Sequence, residues 1–216
     1  MERNLRKIDV AEKGVLHLKI IAHGKQAHAS TPKEGVNAIQ YMNHFLNLLE
    51  THEMRYKRHT LLSEPTLNLG YIHGGTVPNV VPAKCETKID IRYLPSQTSE
   101  EIVIDVKRLC ETIQKENKDV KFKVEIIQGL KPTEISPENE LVEAIKKNAR
   151  LVIGVEPEII GMSGATVAKQ LIQNNVIAVG YGPGDEVAHK ANEYAPIDEL
   201  VDFAKIAALV TLDLLG

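Results

Sequence analysis

The sequence predicts an α+β / α/β chain in which a ferredoxin-like β-α-β-β-α-β domain (14–130) is followed by an incomplete α/β segment (131–216), with residues 1–13 as a linker. Three observations carry this expectation. "AKCETKIDIRYLP" alternates apolar and polar residues along its whole length, as a half-buried strand must. Apolar runs of period 2 and period 3.6 succeed one another up to about Gly129 in the order strand, helix, strand, strand, helix, strand, which is the split βαβ arrangement. Beyond Ser136, helices and short strands alternate as in an α/β sheet.

The elements follow in order. "GVLHLKIIAHG" reads as a strand with Leu16, Leu18, Ile20 and Ala22 on one face and His17 and Lys19 on the other. A helix is expected from about Glu34 to Glu50, because Ala38, Met42, Phe45 and Leu49 recur at helical spacing. "PTLNLGYIHGG" is a second strand. In the third, Cys85, Thr87, Ile89, Ile91 and Tyr93 oppose Lys84, Glu86, Lys88, Asp90 and Arg92, so its second face is wet or functional. Thr98 and Glu101 form a capping box ahead of the stripe Ile102, Val106, Leu109, Cys110, Ile113. "VKFKVEIIQ" is the fourth strand. In the second segment, Ser136 as N-cap and Pro137 at the first helical position open a helix that ends at Gly154. A short strand near "PEIIG", a helix through "ATVAKQLIQ", a strand "VIAVGYG" and a last helix opened by Pro196 complete the chain. Two strands are too few to cover the helices of this segment, so an apolar surface should stay exposed on 136–216.

Composition excludes several partners. The 216 residues are 43% apolar, enough for a buried core, and 26 Lys plus Arg against 29 Asp plus Glu give no general attraction for nucleic acid or an anionic membrane. Cys85 and Cys110 fall at apolar positions and read as reduced core thiols of a cytoplasmic protein. No apolar run approaches the roughly 20 residues of a membrane span, and the charged start lacks the apolar segment of a signal peptide.

Several residues are of types that do chemistry. In "GKQAHASTP", His28 stands between two alanines with no partner beside it. In "GGTVPNVVP", two glycines and two prolines could hold the amide of Asn79 in place, although an ordinary turn would look the same. Arg92 on the polar strand face could bind a carboxylate with its planar fork, or be a surface cation. "GMSGA" invites comparison with the nucleophile elbow G-x-S-x-G, and Ser163, His189 and Asp185 could be drawn as a triad; the final glycine is replaced by Ala165, and an N-cap with a glycine turn is the plainer reading. Either way, the helix start would offer free backbone amides to an anion or a carbonyl oxygen. His189 with Glu193, after Asp185 and Glu186, offers donors that zinc accepts, or forms a solvated loop.

"GKQAHASTPKEGVNAI", "GGTVPNVVPAKCETKIDIRYLP", "SGAT" and "AHKANEY", in this order and spacing, resemble the later two-thirds of the acetylornithine deacetylase, succinyl-diaminopimelate desuccinylase, aminoacylase and glutamate carboxypeptidase family. The resemblance implies metallohydrolases that cut the amide bonds of N-acyl amino acids or peptides with paired zinc or cobalt ions. It also implies an α/β catalytic domain interrupted by a ferredoxin-like lid through which two subunits dimerise. By the same resemblance, His28 reaches from one lid into the partner's site and polarises the scissile carbonyl, Asn79 and Arg92 contact substrate, Ser163, Gly164 and Thr166 line the pocket, and His189 is the last metal ligand.

Two departures stand out. The family's His-x-Asp motif, bridging aspartate and glutamate pair find no counterpart here, and Val167 stands where relatives commonly carry an aspartate. The expectation is therefore a truncated or split amidohydrolase that forms a homodimer. Alone it should hold no metal or one weakly bound ion, and stay inactive without a separate N-terminal half. The alternatives are a non-catalytic dimerisation or regulatory module and, third, a serine hydrolase.

Overall fold

The structure, a computed structural model, describes residues 4–184 and 191–216. In chain order the elements are β1 (Lys7–Glu12), β2 (Gly14–His23), β3 (Ala27–His28), a 3-10 turn (Pro32–Glu34), α1 (Ala38–Glu50), β4 (Thr66–Gly74), β5 (Val80–Val81), β6 (Lys84–Tyr93), α2 (Ser99–Glu116), β7 (Lys121–Leu130), β8 (Thr133–Glu134), α3 (Glu140–Ile153), β9 (Glu158–Met162), α4 (Val167–Gln173) and α5 (Ile197–Leu215). They fall into two units. One consists of Gly14–Lys57 and Glu64–Lys131, the other of the segment ending at Lys13, Arg58–Ser63 and Pro132–Gly216.

The first unit is a four-stranded antiparallel sheet in the order β4-β6-β2-β7, with α1 and α2 as its helices, which is the ferredoxin-like topology. Strand alternation sets the burial. Leu16, Leu18, Ile20 and Ala22 of β2 and Cys85, Ile89, Ile91 and Tyr93 of β6 pack with Ala38, Met42, Phe45 and Leu49 of α1 and Ile102, Val106, Cys110 and Ile113 of α2. Each large aliphatic or aromatic side chain buried there contributes about 1.5–3 kcal/mol. The helix expected from Glu34 starts at Ala38, because Asn37 caps it by accepting from the Ile39 and Gln40 amides, and the residues before it form the separate 3-10 turn. The expected capping box is present: Thr98 Oγ1 accepts from the Glu101 amide, and Glu101 accepts from the Thr98 amide. Gly14 pairs with Tyr93, and a Cβ on Gly14 would overlap the Tyr93 ring, so β2 can begin against that buried ring only as glycine. Burial also pushes the thiol of Cys110 up to about 12 and raises that of Cys85, and neither is in a disulfide.

The second unit has a three-stranded sheet in the order β8-β1-β9, antiparallel between β1 and β8 and parallel between β1 and β9. The segment read as a linker therefore contains a strand. Ile8 and Val10 join Val142, Ile145, Ala149, Ile206 and Val210 in the core that α3 and α5 share. Three further readings change. The cap of α3 is Asn139, which accepts from the Leu141 amide at 3.0 Å, whereas Ser136 and Pro137 belong to the preceding turn closed by the Asn139 amide on the Ser136 carbonyl at 3.0 Å. Thr166, not Ser163, caps α4, its hydroxyl accepting from the Ala168 amide. "VIAVGYG" forms no strand: the Val176 amide is tied back to Leu171, and only Gly180 bridges to Asp9. The α3 terminus is as expected, with Gly154 left-handed at φ 69°.

Candidate functional site

His28 is carried by the two-residue ladder of β3 on β5, in which His28 pairs with Val80 and Ala27 with Val81. Its side chain is exposed. The Ser30 amide donates to Nδ1 at 3.2 Å, and the Ser30 hydroxyl lies 2.7 Å from the same nitrogen. An amide can only donate, so Nδ1 is the acceptor and the neutral ring carries its proton on Nε2. The imidazole is thus oriented by its own loop and presents a donor outward. Ser30 fixes the tautomer of the His28 ring.

Asn79 is adjacent through the backbone, its carbonyl accepting from the Ala29 amide at 3.0 Å. Its side chain is exposed. Beside this ladder lies a hollow of about 500 Å³ bordered by Ala29, Asn37, Ile39, Thr76 and Val77. The first unit's larger cavity, about 920 Å³, is lined by residues such as Leu49, Met54, Leu67 and Ile102 and includes none of the candidates.

Arg92 lies elsewhere. Eight strand steps separate it from Lys84 on β6, about 26 Å at 3.3 Å per residue. Its Nε and Nη2 donate to the two oxygens of Asp90 at 2.7 and 2.8 Å, and Asp90 also meets His17 Nε2 at 2.8 Å. Burial alone would raise the Asp90 carboxyl, but the hydrogen bonds from Arg92 and His17 outweigh it and hold it below the ordinary carboxylate range. Two of the five guanidinium N–H groups are spent in this way, leaving three to meet a ligand carboxylate.

In the second unit, Ser163 Oγ is 3.3 Å from Ser63 Oγ, which accepts from Lys13 Nζ at 3.0 Å. Gly164 follows, with Met162 Sδ 3.4 Å from where a Cβ would stand. Thr166 is committed to structure: its amide donates to Glu12 Oε2 at 3.1 Å and its hydroxyl meets Glu12 Oε1. The amides expected to be free at this helix start are therefore occupied at Thr166 and Ala168. His189 and Asp185 lie outside the described residues, and so does any triad built on them.

Sequence reasoning missed a buried polar cluster. Glu12 is 3% exposed and Lys169 fully buried. Lys169 Nζ donates to the Lys13 carbonyl at 2.9 Å and sits 3.6 Å from Glu12 Oε2. Its only trace in the sequence is Lys169 beside Ala168 on the helix face that the Thr166 cap turns inward. No group of three or more His, Cys, Asp or Glu side chains among the described residues could hold a metal ion, so they do not compose a metal centre by themselves.

A peptidase dimerisation domain of the M20 group matches residues 10–118, half of the chain. The chain belongs to the M20 peptidase dimerisation-domain family. An uncharacterized metallohydrolase of Methanocaldococcus jannaschii is 27% identical over 92% of this chain and 52% of its own length. An acetylornithine deacetylase of Myxococcus xanthus is 30% identical over 88% of this chain and 50% of its own. The aminopeptidase PepT of Bacillus cereus superposes with a TM-score of 0.77 at 26% identity, over 97% of this chain and 54% of that one. Human carnosine dipeptidase 1, at 18% identity and a TM-score of 0.65, shares the fold. The M20 chain thus spans about half the length of the curated relatives it matches. Among the described residues no helix is long and apolar enough to cross a membrane.

Proposed function

We propose that this chain supplies the dimerisation lid and part of the active site of a metal-dependent amidohydrolase that acts on N-acyl amino acids or peptides. The observation that supports it is the separation of His28 from Arg92 on one lid. His28, a donor fixed as Nε2–H, is carried by the β3–β5 ladder that precedes the Lys84 end of β6, while the fork of Arg92 stands about 26 Å along β6 from Lys84; we take the two as too far apart for one amino-acid-sized substrate, whereas two copies paired through their lids can each contribute one. Arg92 grips the substrate's free carboxylate with its unspent N–H groups, Asn79 orients the substrate, and His28 of the second copy donates to the oxygen of the scissile carbonyl as negative charge develops there. Ser163, Gly164 and Thr166 border the pocket. Metal ligation is assigned to the half of the relatives that this chain does not span, with His189 as the contribution from here.

Mixed dimers test it. In the complete enzyme, His28→Ala and Arg92→Ala are each expected to lower turnover of an N-acyl amino acid by about a hundredfold or more, and co-assembly of the two variants should restore about a quarter to a half of the wild-type rate, because one site of the mixed dimer is intact. No recovery on mixing, with dimers verified, refutes the two-copy site.

A non-catalytic dimerisation module is the second reading, supported by the match of residues 10–118 to a peptidase dimerisation domain. Metal analysis and N-acyl amino acid hydrolysis, measured on this chain alone and then together with the half of the relatives that it does not span, separate the two. The serine hydrolase reading would need Ser163 to react with an active-site phosphonate, and Ser163 has a hydroxyl rather than a base as its described neighbour.

A further inference from the structure

The larger cavity of the first unit follows from a mismatch of lengths. Helix α1 has 13 residues and β6, on which it packs, has 10, so the helix runs about 20 Å and the strand about 33 Å. Part of the helix-facing side of the sheet is therefore roofed only by the segment 51–57, and the hollow of about 920 Å³ lies beneath it. Leu49, Ile91 and Ile102, all buried, form its floor. Leu67 and Leu69 of β4 stand opposite Ile91 and Ile89 and so share their face, yet they are 37% and 44% exposed, as is Ile104 of α2 at 46%. Large apolar side chains that line a hollow and stay wet gain from an apolar occupant. The volume lies within the range of about 300–1,000 Å³ usual for sites that hold a small molecule.

Most of the charges around the hollow are already paired. Asp105 accepts from Arg108 Nη1 at 3.0 Å and lies 3.7 Å from His52 Nε2, and Glu101 closes the capping box of α2. The roof is held by its backbone: the Lys57 amide donates to Ser96 Oγ at 3.0 Å, and Gln97 Nε2 donates to the Arg55 carbonyl at 3.1 Å. The side chains of Arg55 and Lys57 stay exposed at the mouth, and among the described residues neither makes an ion pair or a side-chain hydrogen bond. Of the acids in the lining, Glu50 is likewise uncommitted. Two cations on an anchored roof against one acid favour an anion at the mouth.

We infer that this cavity is a second ligand site, which takes a small amphipathic carboxylate with its apolar body on Leu49, Ile91 and Ile102 and its charge at Arg55 and Lys57. The site is separate from the proposed substrate contacts. Ile91 reaches it from the helix-facing side of β6, whereas Arg92, the next residue, points to the opposite face. It also leaves the edge of β4 free, because the cavity uses side chains of that strand and not its outer N–H and C=O groups.

The probes are decanoate, decanol and decylammonium, each titrated below its micellar concentration against the whole chain by calorimetry. Decanoate should bind saturably, one per chain, and about tenfold or more tighter than decanol, which has the same body without the charge, because charge-assisted hydrogen bonds to Arg55 and Lys57 are added. The Arg55→Ala, Lys57→Ala double variant should bring decanoate down to the level of decanol and leave decanol unchanged. Its circular dichroism melt should match wild type, since both side chains are exposed. Ile104→Glu, at an exposed position of the lining, should weaken both ligands. Decanoate no tighter than decanol, an unaltered preference in the double variant, or tighter binding of decylammonium overturns the anion site. Unchanged affinity in Ile104→Glu puts the ligand elsewhere and overturns it too. Failure of the wild-type chain to bind decanoate overturns it as well, and a fall in sedimented mass on Ile104→Glu would then identify a second copy as the occupant.

Discussion

His28 and Arg92 use their hydrogen bonds in opposite ways. Ser30 takes one ring nitrogen of His28 and leaves the other pointing outward, whereas Asp90 takes two donors of Arg92 and fixes the plane of its fork. His28→Gln keeps a donor near the Nε2 position but loses the fixed ring, so it should retain more activity than His28→Ala, which should lower kcat about 10²–10³-fold in the complete enzyme with KM little changed. Equal losses for the two variants would show that donation is not the role. Asp90 adds a pH dependence. Its folded carboxyl titrates below the ordinary value, so it contributes stability above the unfolded carboxylate range, and that contribution disappears as pH falls through the folded value. Unfolding free energies of wild type and Asp90→Asn from denaturant titrations should therefore differ near neutral pH by about 1 kcal/mol or less and converge as the pH falls below the ordinary carboxylate range. A difference that grows on acidification contradicts the assignment.

At the scale of elements, the cluster of Glu12, Thr166 and Lys169 joins β1 to α4 in the second unit. A buried pair is costly to break from one side and much less so to replace whole. Lys169→Met should destabilise the chain by about 3–5 kcal/mol, and the Glu12→Gln, Lys169→Met double variant by clearly less, measured by denaturant unfolding. Additive losses would deny the coupling. The same cluster marks the limit of what the sequence reveals. β6, α1 and α2 were legible because one face is buried and the other wet, so their periodicity is undiluted. β1 was not, because Asp9 and Glu12 are buried charges that in sequence look like a solvated segment. His28 and Asn79 were legible as a motif, yet their adjacency depends on a two-residue ladder too short to leave a period. Ser63, far along the chain from Ser163, left no local signal at all.

At the scale of the molecule, the question is which surface pairs two copies, since the proposed site needs both. The four-stranded sheet has two edges, β4 and β7. β7 carries Lys121, Lys123 and Glu125, the kind of charge that keeps an edge from pairing. β4 carries no Lys, Arg, Asp or Glu, and Leu67, Leu69, Tyr71 and Ile72 are exposed along it at 37–50%. An open edge with an exposed apolar row is a template for another strand, and its free N–H and C=O groups would be satisfied by a β4 from a second copy. The pairing should therefore run through β4. Leu69→Lys places a charge in the middle of that row, so it should convert the sedimenting species from dimer to monomer at micromolar concentration, and an intact far-ultraviolet spectrum should show that the fold is kept. Ile126→Lys on the β7 edge, 59% exposed against 44% for Leu69, should not. If Ile126→Lys dissociates the dimer and Leu69→Lys does not, the copies pair through the opposite edge, and the distances between His28 and the partner's site have to be drawn anew from there.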